Sequence, residues 1–290
     1  MQIVNTIRTA PIKSIILLAC LSISHYVLAS DIDNARFLNQ STLGWNESEL
    51  KELTELGQKR WLEQQLSKNA TKLEPYISML AARLEEDADT VAGTLPYHKV
   101  NLARNNVGYK NTTTAWMRAV LRGDDILRHR VAFALSQILV VSNCTNVLTA
   151  ASANYYDLLL DNAFVNYEDL LLKVTLHPVM GKYLSYLWNR AHSEDTSQQP
   201  DENYAREVMQ LFSIGLWELN KDGTRRLNKD GDPINTYEID DVKTLARVFT
   251  GLSLKDERFG KQNWDKYSTP MIMNSRHHDK KAKNCLKRLY

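Results

Sequence analysis

In segment after segment of this chain the apolar residues return at intervals of three and four. Residues 46–66, 127–138, 154–160, 167–176, 180–188, 204–212 and 236–251 all read this way. That spacing places them on one face of an α-helix, and a face of this kind must be buried against another element. Six or more such faces in sequence restrict the fold to helices packed on helices. The expectation is an all-α, multi-helix domain, with 43% apolar residues over 290 positions sufficient for a core.

The boundaries carry their own signals. Asn46 with Glu49 three residues later has the form of a capping box, Gly57 is a break, and Trp61, Leu62 and Leu66 mark a second apolar face, so residues 46–66 read as a helical hairpin. Residues 85–114 are poor in apolar side chains and rich in Asn, Thr and Gly, and read mostly as loop. Asp124 or Asp125 caps a helix with Leu127, Val131, Ala134, Leu135 and Ile138 on its core stripe, ending near Ser142-Asn143. His177-Pro178 stops the helix of residues 167–176, and a further helix follows over Met180–Trp188.

One region departs from the helical period. Leu219-Asn220-Lys221-Asp222-Gly223 recurs as Leu227-Asn228-Lys229-Asp230-Gly231, two Asp-Gly turns that read as a small β hairpin near 216–236. Asp222, Asp230 and Asp232 lack the alternating ligands and distal Glu of a helix-loop-helix calcium site, so turn chemistry is the preferred reading. The last helix starts after Thr236, with Val242, Leu245, Ala246 and Phe249 facing the core and Gly251 as its stop.

Residues 1–29 have the form of a secretory signal. Arg8 and Lys13 precede the apolar run Ile15–Leu21, and Val27-Leu28-Ala29 offers a small-residue cleavage site before Ser30. This predicts an exported protein, periplasmic, cell-surface or secreted, with residues 30–290 as one helical domain. Lipid attachment at Cys20 is the less favoured alternative, because apolar residues continue past it to Ala29. Loss of Arg8 and Lys13 with the leader brings the 36 Lys+Arg down to 34, equal to the 34 Asp+Glu. Neutrality of this kind supplies no attraction for nucleic acid or anionic membrane. No later apolar run reaches the roughly 18 residues of a membrane span. Cys144 and Cys285 allow one disulfide or two free thiols.

The stretch PDENYAREVMQLFSIGL, from Pro200, carries the densest polar pattern. Beside an apolar face of Tyr204, Val208, Leu211 and Phe212 runs a polar stripe of Asn203, Arg206, Glu207 and Gln210. Asp201 as a cap and Glu202 with Arg206 as an i, i+4 pair account for part of it. The rest is either a polar network closed between helices or one wall of a site. In the second case Glu207 and Arg206, with Arg247 on the last helix, are the candidate catalytic residues. His278 and Asp279 are the candidate metal ligands, for zinc, manganese or iron, and Asn203, Gln210, Asp240, Asp241 and Lys283 complete the polar group. No nucleophile elbow, phosphate loop or dinucleotide fingerprint is present.

LRHRVAFALSQILVVS from Leu127, YEDLLLKVTLHPVMGKYLS from Tyr167, DENYAREVMQLFSIGL from Asp201, DDVKTLARVFTGLS from Asp240 and HHDKKAK from His277 together resemble the bacterial family called domain of unknown function 1800. The resemblance covers essentially all of the chain after its leader, and Asn203–Glu207 is its most specific part. It implies a mainly helical exported protein, often encoded beside a second exported family that would be its partner, and it carries no chemistry. In the family the His-Asp-x-x-x-Lys motif is followed by a Leu-Gly turn and further helices, whereas here the sequence reads Leu286-Lys287-Arg288-Leu289-Tyr290, so an incomplete C-terminus is expected. The function expected is non-catalytic binding or assembly; the alternative is a metal-dependent, hydrolase-like enzyme built on the Glu/Arg/His/Asp group.

Overall fold

The computed structural model describes residues 31–80, 109–142, 149–195, 197–260 and 266–283. The expected leader with Cys20, together with Cys144 and Cys285, lies outside the described residues. The chain divides into two compact units, Met1–Ser67 and Lys68–Tyr290.

The first unit contains α1 (Asp31–Ser41), α2 (Glu47–Leu56) and α3 (Gln58–Ser67). The capping box forms as the sequence predicts. Asn46 Oδ1 accepts from the Ser48 and Glu49 amides at 2.9 and 3.2 Å, while Glu49 Oε2 accepts from the Asn46 amide at 2.7 Å. Gly57, at φ 76°, ends α2 and turns the chain into α3. Leu38, Leu53 and Trp61 are buried in this unit, with Phe37 meeting the Trp61 ring edge-on at 5.4 Å.

The second unit contains α4 (Tyr109–Arg122), α5 (Ile126–Ile138), α6 (Thr149–Asp161), α7 (Tyr167–Thr175), α8 (Pro178–Tyr183), α9 (Asn203–Gln210) and α10 (Ile239–Val248). At its centre is α6, which packs against α4, α5, α7 and α8. Its sequence explains that position: Ala151, Ala153, Tyr155, Leu159 and Leu160 are buried around most of its circumference, as in a helix enclosed by others. The last helix pair, α9 and α10, closes over a smaller cluster of Ala205, Met209, Val242 and Ala246. Mainly helical architecture is thus the fold the sequence predicted.

Three local expectations are corrected. Of the expected loop, residues 85–108 lie outside the described residues, and Tyr109–Thr114 is the first part of α4, which carries three consecutive Thr and, among its described side chains, buries only the small Ala115 and Ala119. On α5 the buried positions are His129 and Ala132, with Leu139 just beyond its end, whereas Ile138 of the expected stripe is exposed. The expected helix Met180–Trp188 stops at Tyr183, because Ser185 and Trp188 take φ of 60° and 67°. A regular two-stranded sheet is found in addition, where β1 (Leu252–Ser253) pairs antiparallel with β2 (Ile272–Met273). Residues 216–236 do form the predicted hairpin-like meander, through isolated antiparallel bridges Trp217↔Asn235, Leu219↔Arg225 and Leu227↔Pro233. Its turns rest on side-chain chemistry: Asp222 Oδ1 accepts from the Thr224 amide at 3.0 Å, and Asn228 Oδ1 from the Asp230 and Asp232 amides at 2.9 Å.

Among the described residues no helix is long and apolar enough to cross a membrane.

Candidate functional site

Tyr204 explains why the Asn-Tyr-Ala-Arg-Glu run is so tightly specified. Its ring stacks on Tyr186 at 4.1 Å and meets Phe249 edge-on at 4.8 Å, and its hydroxyl shares a 2.6 Å hydrogen bond with Thr175 Oγ1. The Tyr186 hydroxyl donates to the Thr175 carbonyl at 2.7 Å. One residue of α9 is therefore locked to α7, to the turn after α8 and to α10. Burial pushes the Tyr204 phenol up to about 12, so it stays protonated and available as a donor.

The polar stripe on the same helix divides. Arg206 Nη2 donates to Glu202 Oε2 at 3.2 Å along its own helix, Asn203 is exposed and Gln210 is half-buried. Glu207 turns Oε2 inward, where it makes no hydrogen bond among the described residues, and the buried Tyr237 hydroxyl is in the same state. Burial raises the Tyr237 phenol, with Arg206 pulling it down and Glu207 pushing it up. On α10, Asp240 pairs with Lys243 at 3.7 Å on the surface, and Asp241 Oδ2 accepts from the Glu238 amide at 2.9 Å to start the helix.

A second polar group forms where the chain returns after β2. Arg247 at the end of α10 grips Asp279 with two nitrogens, Nε to Oδ2 at 2.8 Å and Nη2 to Oδ1 at 3.2 Å, and Nη2 also donates to the Ala282 carbonyl at 3.0 Å. The Asp279 amide donates to Thr250 Oγ1 at 2.8 Å, and Asp279 Oδ1 accepts from the Lys281 amide at 2.8 Å. His278 Nδ1 lies 2.8 Å from the Thr250 carbonyl, which requires its proton on Nδ1 and leaves Nε2 facing Lys283 Nζ at 3.5 Å. Lys283 Nζ also donates to the Asp279 carbonyl. The Arg247 guanidinium holds the Asp279 carboxyl down at about 2. Chemically this is a clamp: its carboxylate is spent on a cation and an amide, and the free nitrogen of its His is covered by a lysine.

The structure therefore brings Arg247, His278, Asp279 and Lys283 together, and joins neither Arg206 nor Glu207 to them by hydrogen bond or ion pair among the described residues. Among those residues no group of three or more His, Cys, Asp or Glu side chains is placed to hold a metal ion.

A further site lies in a cleft of about 460 Å³ between α6, α7 and the segments near residues 72–75 and 268–270. From α6 come Asn154, Asp157 and Asp161, which share one helical face at intervals of three and four. The buried Asp157 accepts from the Leu73 amide at 2.7 Å and from the Glu74 amide at 2.9 Å, starting a helical turn 84 residues away in sequence. Burial nevertheless pushes its carboxyl up to about 6, against the pull of those two amides. Lys72 Nζ pairs with Asp161 Oδ2 at 2.8 Å, and Lys173 Nζ donates to Asn162 Oδ1 at 2.5 Å.

The buried His177 also lines the cleft. Nδ1 accepts from the Val179 amide at 3.2 Å, capping α8 ahead of Pro178, so Nε2 carries the proton toward Asn154 Oδ1 at 3.1 Å. Burial lowers His177 to about 4. The native state thus favours neutral imidazole, and unfolding takes up a proton once the pH is below the ordinary value of about 6.5. The stabilisation is complete above that value and is lost as the pH falls toward 4, by about 3 kcal/mol in all. Asp157 acts oppositely, since its raised carboxyl favours the folded state at low pH and loses that advantage as the pH rises from 3.8 to about 6. Comparison of wild type with His177→Asn by urea unfolding at pH 7 and pH 4 isolates the histidine. The gap between them is expected to shrink by about 3 kcal/mol on acidification, and a constant gap would show that the imidazole is not held neutral.

The cleft has no counterpart among the residues picked out by sequence. Asn154, Asp157 and Asp161 share a helical face, but nothing local marks that face as lining a cavity.

Residues 36–290 match the protein family described as Protein of unknown function (DUF1800). The chain belongs to this family. The match takes in every described element from Arg36 onward, including the locked Tyr204 helix, the Arg247–Asp279 clamp and the cleft. No curated protein and no solved structure matches the chain.

Proposed function

We propose that this DUF1800 protein is an exported, non-catalytic binding protein. The observation that carries the reading is the clamp: Asp279 and His278, the side chains best suited to a metal, are engaged by Arg247, Lys281, Thr250 and Lys283, and their work is to fasten residues 274–283 to the end of α10. A catalyst needs such groups turned toward a substrate in one open pocket. The cleft along α6 supplies the binding capacity, and an exported protein encoded by a neighbouring gene is the proposed macromolecular partner. Export rests on the leader-like residues 1–29.

Expressed from Met1 in a bacterial host, the protein is expected in the exported fraction with its N-terminus at Ser30; recovery from the cytoplasm with Met1 intact would overturn export. The thermal unfolding midpoint of that product is expected to be the same in EDTA as with added zinc, manganese, iron or calcium. A ligand specific for the native state must raise it. A rise with one transition metal that disappears in His278→Ala would replace this reading with the metal-dependent enzyme.

A further inference from the structure

Resting on the binding-protein reading, we propose that the cleft along α6 takes a small organic carboxylate, with the acid group at Lys173 and Lys72 and an apolar body against Leu158, Leu176 and the prolines. At about 460 Å³ the space lies within the range of small-molecule pockets.

The cleft wall holds unspent hydrogen-bonding capacity. Lys173 donates to the neutral Asn162 amide and is ion-paired with no carboxylate among the described residues. Lys72 spends one proton on Asp161, and an ammonium has three. Asn154 gives its oxygen to His177, leaving an amino group without a hydrogen bond among the described residues. Three side chains thus present spare donors. The carboxylates of the lining are more nearly spent: Asp157 holds two backbone amides, Asp161 holds Lys72, and Glu74 Oε1 accepts from Ser78 Oγ at 2.5 Å. His177, with both nitrogens engaged, adds neither a charge nor a free donor.

A ligand matched to this wall must bring acceptors, and a charge-assisted bond to an ammonium favours an anionic one. The remaining wall sets the rest of its chemistry. Pro75, Leu158, Leu176 and Pro270 offer carbon surface, which suits a hydrocarbon body better than a polyol.

Calorimetric titration of the exported protein with benzoate and hexanoate, and with benzamide and hexanamide as neutral counterparts, tests this directly. Saturable binding of at least one acid is expected, at least about tenfold tighter than its amide, because a hydrogen bond to a charged group is worth a decade or more. Lys173→Met should weaken that acid about tenfold or more and Lys173→Arg should restore it. The exposed Lys173 stem leaves the unliganded transition cooperative in both variants. Equal binding of acid and amide, unchanged affinity in Lys173→Met, or no binding of either acid at millimolar concentration would overturn the proposal. The metal titration reports separately on the underlying reading: a silent metal panel with a failed acid panel removes the ligand class alone.

Discussion

Asp279→Ala is expected to destabilise the protein by about 3 kcal/mol, the lower end of the cost of breaking a buried ion pair. The Asp279 side chain is 6% exposed and that of Arg247 24%, so the orphaned guanidinium can recover part of its hydration but not all. The loss also removes an acceptor from the Lys281 amide. The effect should depend on pH in one direction. Asp279 is depressed to about 2 in the native state, so its contribution is complete above the ordinary value of 3.8 and disappears as the pH falls toward 2. Urea unfolding of wild type and variant at pH 7, pH 3.5 and pH 2 should show a gap that is largest at pH 7 and nearly closed at pH 2. A gap under about 1 kcal/mol at pH 7 would reduce the clamp to the standing of an ordinary surface pair.

Gly251→Ala should cost at least as much, about 3–4 kcal/mol. The residue sits at φ +84°, where a side chain is disfavoured by about 1–2 kcal/mol. A Cβ there would also come within 2.7 Å of the Asn274 carbonyl oxygen, 2.9 Å of the His278 amide nitrogen and 3.0 Å of His278 Cβ. Two of those three atoms are backbone, so relief requires the two backbone segments to move apart, at a further cost of about 1–3 kcal/mol typical of overpacking. The movement would pull on the Gly251 hydrogen bonds to Asn189 and Asn274, both 2.7 Å. Gly223→Ala is the control. It has nearly the same φ, +83°, and nothing within 4 Å of the added carbon, so it should cost only about 1 kcal/mol. Equal losses in the two variants would mean that conformation, and not the close approach of residues 274–278, limits Gly251.

Most helices were legible because the interactions that start and stop them are local. The Asn46–Glu49 box, the Gly57 break, the His177-Pro178 stop and the Asp-Gly turns each join residues a few positions apart. Helix α5 shows the limit of that logic. Its apolar period points to Val131, Ala134 and Ile138, yet the buried face carries His129, because Asp125 is fully buried where its Oδ2 accepts from the Thr71 amide at 2.8 Å, and Asp125 Oδ1 lies 3.6 Å from His129 Nε2. A contact across 54 residues sets that rotation, and periodicity within one helix holds no information about it. Helix α4 fails for a related reason: small Ala115 and Ala119 suffice where a neighbour approaches closely, so the helix needs no large apolar stripe.

The candidate site divides along the same line. Grouping Arg247 with His278, Asp279 and Lys283 was accessible from residue types, since Arg and Asp are partners wherever the chain allows. The Glu202–Arg206 pair was equally legible at i, i+4, but the separation of Glu207 from that group was not, because it depends on where distant segments pack.

By itself the sequence determined the helical class, the Asn46 capping box, the Asp-Gly turns and the family, since each depends on short-range hydrogen bonds or on apolar spacing within one element. Only the tertiary structure decided which faces became core, that Asp279 is held in a clamp, and that Lys72, Asp157 and His177 meet around one cleft. Those outcomes depend on the burial of charged groups by distant segments, whose desolvation raises Asp157 and lowers His177, and a one-dimensional pattern does not record which segments approach.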